Sequence, residues 1–159
     1  MRTHLTEDDL AAAEELVGHQ FADRAVLRRA LTHSSASSQH NEPLATLGDA
    51  IHKVWVARNA HRVIKAPTKA ALTGVINTLC EGRRSQAPLL RVLGLDEYVV
   101  LGGALYGNGG VVTDDMAATA FEAIVAALEL DGGRDAAEAY LNRVGAGQLD
   151  EALYWHARE

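Results

Sequence analysis

The sequence predicts a single all-α domain, and three observations carry that prediction. Apolar residues recur at spacings of three and four through nearly every segment, the period of an amphipathic helix. Alanine is abundant and runs of β-branched residues are scarce, which favours helix over strand. The periodic segments are separated by short stretches of Gly, Ser, Pro, Asn and Asp, with no internal repeats and no low-complexity tract. With 159 residues, 48% of them hydrophobic and 23% charged, the chain suffices for one domain over residues 1–159 with one sizeable core.

Thr6 with Asp9 three residues on is a capping-box-like start, and Leu10, Leu16 and Val17 lead to a stop at Gly18. After the link His19-Gln20-Phe21, Asp23 caps a second helix. It carries Val26, Leu27, Ala30 and Leu31 on one side and Arg24, Arg28 and Arg29 on the other. Ser34 to Gln39 is a polar loop. A third helix starts near Asn41 or Glu42, tolerates Pro43 in its first turn and runs through Leu44, Leu47, Ile51, Val54 and Trp55 to about Val63. Its length predicts a central position.

Pro67 and Thr68 open a fourth helix built on Leu72, Val75, Ile76 and Leu79. Arg83 to Leu93 reads as a shorter helix ending at Gly94, and Tyr98 to Leu101 as a short extended run. Five glycines between Gly102 and Gly110 predict a mobile loop without a rigid element. Thr113 or Asp114 then caps a helix over Asp115–Leu130, with Met116, Ala120, Phe121, Ile124 and Leu128 as its apolar stripe, and Asp131-Gly132-Gly133 ends it. Asp135–Val144 and Gln148–His156 read as two further amphipathic helices.

The lone Cys80 excludes a disulfide framework and a cysteine zinc site, and fits a reducing cytoplasm. No charged start is followed by an apolar run, and no apolar stretch approaches a membrane span, so neither a leader nor a membrane partner is expected. The net charge of −6 is unevenly spread: residues 20–91 hold 11 Lys/Arg against 4 Asp/Glu. That basic centre includes Arg24, Arg28, Arg29, Arg58, Arg62, Lys65, Lys69, Arg83, Arg84 and Arg91 and could track a phosphate backbone. Charge alone is equally compatible with a solvated helix surface.

Two acids stand out because core residues flank them: Leu47-Gly48-Asp49-Ala50-Ile51 and Ala120-Phe121-Glu122-Ala123-Ile124. Carboxylates are rarely buried unless paired or bound to a metal. Gly48 removes a side chain next to Asp49, so another helix or a ligand can come close. If the two helices cross there, Asp49 and Glu122 form a carboxylate pair able to hold Mg²⁺, which typically needs only one or two protein carboxylates. Taken singly, either acid is ordinarily a solvated or salt-bridged residue. Glu42 lies on the Asp49 face two turns earlier, and Asp115 on the Glu122 face two turns earlier. Asp114 and Asp115 also suit the positive end of a helix. His33 and His40 read as hydrogen-bonded structural residues, and Trp55 and Phe121 as core.

Several stretches, in order along residues 14–143, resemble the ribonuclease III family. Leu27-Arg28-Arg29-Ala30-Leu31-Thr32-His33-Ser34-Ser35 is similar to the family's opening, "LLLRALTHSS". His40-Asn41-Glu42-Pro43-Leu44-Ala45-Thr46-Leu47-Gly48-Asp49-Ala50 is similar to its signature helix, "HNERLEFLGDA". Leu93-Gly94-Leu95-Asp96-Glu97-Tyr98 resembles "LGLGEY". Asn108-Gly109-Gly110 falls where the family often has a glycine-containing loop. Ala118-Thr119-Ala120-Phe121-Glu122-Ala123-Ile124, with Leu130-Asp131-Gly132-Gly133 after it, resembles "ADAFEALIG" and "LDGG".

The resemblance implies that fold, a helical homodimer, and a Mg²⁺-dependent (or Mn²⁺-supported) endoribonuclease acting on double-stranded RNA. Asp49 and Glu122 would be metal ligands and catalytic residues, with Glu42 and Asp115 supporting them. Arg24, Arg28, Arg29, Arg58, Arg62, Lys65 and Lys69 would meet RNA. Apolar Leu44, Leu47 and Ile51 suit a symmetric interface. No separate double-stranded-RNA-binding domain is expected within the chain.

Two family carboxylates fall on neutral residues here, Ala45 and Thr119. The compact Mini-III ribonucleases resemble this chain at both places, with "LAYIGDA" and "ATGFEALIG", which implies that one Asp and one Glu can suffice. The competing readings are a catalytically inactive dimeric RNA-binding or ribosome-associated scaffold, and a protein-interaction module.

Overall fold

In a computed structural model, which describes residues 2–106 and 109–156, the chain is a helical assembly. Helix α1 (Glu7–Val17) starts at Thr6, whose hydroxyl accepts the Asp9 N–H while the Asp9 carboxylate accepts the Thr6 N–H, and it stops at left-handed Gly18. Helix α2 (Arg24–Ala30) is capped by Asp23. Helix α3 (Glu42–Val63) holds Pro43 in its first turn, and α4 (Lys69–Leu79) is capped by the Thr68 hydroxyl. Helix α5 (Gln86–Val92) is followed by a 3₁₀ turn (Leu95–Tyr98) and a single helical turn, α6 (Gly103–Tyr106). Helix α7 (Asp114–His156) is broken at Gly133, whose positive φ (φ 76°, ψ −176°) favours glycine.

The centre of the molecule is the first arm of α7, not α3. Ala123, Ile124, Val125, Ala126, Ala127 and Leu128 are all inaccessible to solvent, so this arm is buried all the way round. Four alanines within residues 120–127 leave room for neighbours on every side, and α3, α5, α4 and α2 pack against it. Helix α3 covers one flank and stays two-sided. Leu44, Ala45, Trp55, Val56 and Ala60 face inward, whereas Leu47 and Val54 are exposed.

Three further local expectations change. Residues 135–156 form one uninterrupted helix, because Gly145 sits under the Trp55 indole, where an added Cβ would lie 3.1 Å from Cη2. The glycine lets the indole lie close there and does not stop the helix. Part of the glycine-rich segment is ordered: Gly102 lies against the Ser35 backbone and Gly103–Tyr106 makes a helical turn, while residues 107–108, including Asn108, lie outside the described residues. Helix α5 starts later than expected, at Gln86, after a turn in which the Ser85 hydroxyl donates to the Leu79 and Glu81 carbonyls. The extended run at Tyr98–Leu101 survives as isolated parallel bridges from Val100 to Arg2 and Thr32.

Candidate active site

The two flagged acids meet because of one glycine. Helices α3 and α7 cross at Gly48, where a Cβ would lie 2.5 Å from the carbonyl carbon of Glu122 and nearer still to its oxygen. Only a residue without a side chain allows this approach. It brings Asp49, at the rim of α3, into electrostatic contact with half-buried Glu122. Burial and then the charge of Asp49 push the Glu122 carboxyl up to about 7, against an opposing hydrogen bond from Gln86 and the charge of Lys53.

Four residues that the sequence did not assign to a site complete this neighbourhood. Lys53, one turn beyond Asp49, donates to Asp49 Oδ2 at 2.6 Å. The ion pair with Asp49, and secondarily its field, hold the lysine above its usual range. Gln86 is fully buried at the start of α5, admitted by Gly82, whose Cβ would meet Ala118 Cβ at 2.9 Å. Its Nε2 lies 3.0 Å from His52 Nδ1. Burial lowers His52 to about 4, so at neutral pH the ring is neutral and can accept that amide at Nδ1. Its partner holds Gln86 at the edge of Glu122. Cys80 Sγ lies 3.8 Å from the same His52 nitrogen, and burial raises its thiol to about 12, so it is an inert proton-bearing group. His52, Lys53 and Gln86 carry no motif signal, and Gln86 reaches the site across 36 residues of chain.

Glu42 and Asp115 lie apart from this pair. Glu42 is exposed, 3.9 Å from His40 Nδ1, and stands about 10 Å along α3 from Asp49. Asp115 is held by a two-pronged pair with Arg83 at 2.5 and 2.6 Å. Asp114 is paired with Arg91 at 2.5 Å, and the α7 start is capped instead by the Thr113 hydroxyl. Among the described residues no group of three or more His, Cys, Asp or Glu is arranged to hold a metal. The position of Ala45 is buried, and the Thr119 hydroxyl donates back to the Asp115 carbonyl.

The basic centre is largely neutralised in three dimensions. Arg24 pairs with Glu14 and Glu7, Arg28 with Glu7, Arg58 with Glu138, and Arg84 with Glu81. The acidic N- and C-terminal thirds fold back onto the basic middle. Arg29 and Arg62 bond to neutral groups, the His40 carbonyl and Asn59, and Lys65 and Lys69 are exposed. Leu44, expected at an interface, is buried within the monomer; the open apolar stripe of α3 is Leu47 and Val54 with half-buried Ile51 between them.

A family model described as ribonuclease-III-like matches residues 23–145. The chain belongs to the ribonuclease III-like family. It is 32% identical to "Ribonuclease 3" of Nitrosococcus oceani over 84% of this chain and 57% of that protein. It is 42% identical to "Ribonuclease 3" of Xanthomonas axonopodis pv. citri over 74% of this chain and 51% of that one. The chain thus spans little more than half the length of these curated relatives. Among solved structures, a nuclease domain of ribonuclease III from Campylobacter jejuni superposes with a TM-score of 0.77 at 27% identity, covering 90% of this chain and 95% of that one. A second structure of that nuclease domain, described for structural flexibility in a region involved in dimer formation, also has a TM-score of 0.77, at 28% identity. The family resemblance and the all-α ribonuclease III fold expected from the motifs therefore hold. No helix among the described residues is long and apolar enough to cross a membrane.

Proposed function

We propose that this protein is a cytoplasmic, Mg²⁺-dependent endoribonuclease that cuts double-stranded RNA, with Mn²⁺ as a possible substitute, through a reduced site built on Asp49 and Glu122. The observation that carries the reading is the α3–α7 crossing at Gly48, which couples these two acids within a ribonuclease III fold. The donor set fits a magnesium ion: two hard carboxylate oxygens, half-exposed so that the remaining positions can be water. Bound there, the ion would activate water and offset phosphate charge. Asp49 and Glu122 would hold it, Gln86 would orient Glu122, and Glu42 and Asp115 would act at most through water from the outer turns.

RNA would be met by shape and phosphate contacts. Arg29, Arg62, Lys65 and Lys69 have no acidic partner among the described residues and would lead, while Arg24, Arg28 and Arg58 would have to give up theirs. A homodimer would use the Leu47, Ile51 and Val54 stripe.

One observation favours a non-catalytic reading, an RNA-binding or ribosome-associated scaffold: Asp49 already has a cationic partner in Lys53. The two readings separate when the protein is incubated with a long RNA duplex and Mg²⁺ or Mn²⁺. Cleavage that Asp49→Asn and Glu122→Gln each abolish supports the enzyme. An intact duplex with a retained gel shift supports the scaffold. No binding at low salt overturns both.

A further inference from the structure

We propose that Lys53 is the resident cation of this site, occupying Asp49 until a divalent ion displaces it, so that the site takes one ion at most and takes it weakly. This inference rests on the reading of Asp49 and Glu122 as metal ligands.

The geometry is direct. Lys53 Nζ sits 2.6 Å from Asp49 Oδ2, within one turn of the same helix, with the acid on the N-terminal side. The lysine is 48% exposed and the aspartate 32% exposed, so the ammonium is neither walled in nor required by the core and can swing into water on its four-carbon stem. Arg83 is committed to Asp115 in a two-pronged pair.

Charge count sets the consequence. Two carboxylates and one ammonium leave a single net negative charge for an incoming ion. Oxygen-ligand sites lose affinity steeply as that count falls. Helix geometry keeps residue 53 on the Asp49 face, so a displaced ammonium still repels the ion; for a separation of about 5 Å at near-water screening that repulsion corresponds to about tenfold in Kd. Lys53 is therefore a specificity-determining residue: it sets the affinity and stoichiometry of the site without being a ligand.

Titration of the whole protein with Mn²⁺ alone at low ionic strength, with free Mn²⁺ read by electron paramagnetic resonance, tests this without any RNA. The wild type should bind no more than one Mn²⁺ per chain. Lys53→Met should bind at least about tenfold more tightly, and Lys53→Arg, which keeps the charge, should stay near the wild type. Unchanged circular dichroism confirms that both exposed-site variants fold. If Lys53→Met binds no more tightly than wild type while Asp49→Asn loses binding, the resident-cation inference is wrong and the metal site stands. If Lys53→Arg tightens binding as much as Lys53→Met, charge is not the cause and the inference also fails. If no variant binds Mn²⁺, the metal-site reading itself falls, and this inference with it.

Discussion

Glu122→Gln should make the metal-free protein more stable at alkaline pH while removing any activity. The carboxyl of Glu122 is half-buried beside the negative Asp49, and burial first and that charge second push it from the ordinary 4.5 to about 7. In the unfolded chain it would ionise near 4.5. Between those two values unfolding releases a proton, so raising the pH destabilises the fold. Below about 4.5 the group is neutral in both states and the effect vanishes; above about 7 the penalty is complete.

At full burial that displacement corresponds to roughly 3 kcal/mol, and water reaching the carboxyl screens it to about 1–2 kcal/mol. Glutamine keeps the shape and can still accept from the Gln86 amide, but it cannot ionise. Urea unfolding in EDTA at pH 4.5 and pH 8 measures the difference directly. The two proteins should match at pH 4.5, and Glu122→Gln should be about 1–2 kcal/mol more stable at pH 8. His52 titrates in the same range with the opposite slope, since burial keeps it neutral down to about 4, but it is common to both proteins and cancels. Millimolar Mn²⁺ should then stabilise only the wild type. A Glu122→Gln protein no more stable than wild type at pH 8 would refute the claim that this carboxylate is held at a cost to the fold.

Three other outcomes follow from the packing and charge of the same fold. Gly48→Ala places a methyl against the Glu122 backbone and should cost about 3 kcal/mol or more by urea denaturation, since neither backbone can yield as a side chain would. Mn²⁺ affinity should fall about tenfold per pH unit below about 7 and level off above it, because Glu122 must lose its proton to serve as a ligand; calorimetry across pH 5.5–8.5 checks this. Asp131→Ala should cost about 2–4 kcal/mol, because the Asp131 carboxylate accepts the Ala22 and Asp23 N–H groups at 3.1 and 3.0 Å and meets His19 Nε2 at 2.8 Å. Burial alone would raise Asp131, but these donors hold it below its ordinary 3.8. Its stabilisation is therefore complete above that value and drains away only as acid is added below it, which acid titration of wild type and variant would trace.

The sequence by itself determined the helices whose ends carry local chemistry. Thr6 and Asp9, Asp23, Thr68 and Gly18 each solve a problem of unpaired backbone groups within a few residues, so their roles were legible in the string. It also marked Asp49 beside Gly48 and Glu122 amid core residues as acids that would pair if their helices crossed; the crossing itself is a tertiary fact. What only the tertiary structure decided is everything that depends on distant charge and burial. The basic centre looked available because its acidic partners lie in the two outer thirds of the chain; folding brings Glu7, Glu14 and Glu138 onto it and cancels much of its field. Gly145 looked like a helix end until Trp55 filled its missing side chain. The character of the two-carboxylate site was decided in the same way. Lys53, Gln86 and His52 are ordinary residues in the string, and they acquire meaning only when α3 and α5 close around Glu122, because electrostatic contacts act through space and carry no period that a sequence can display.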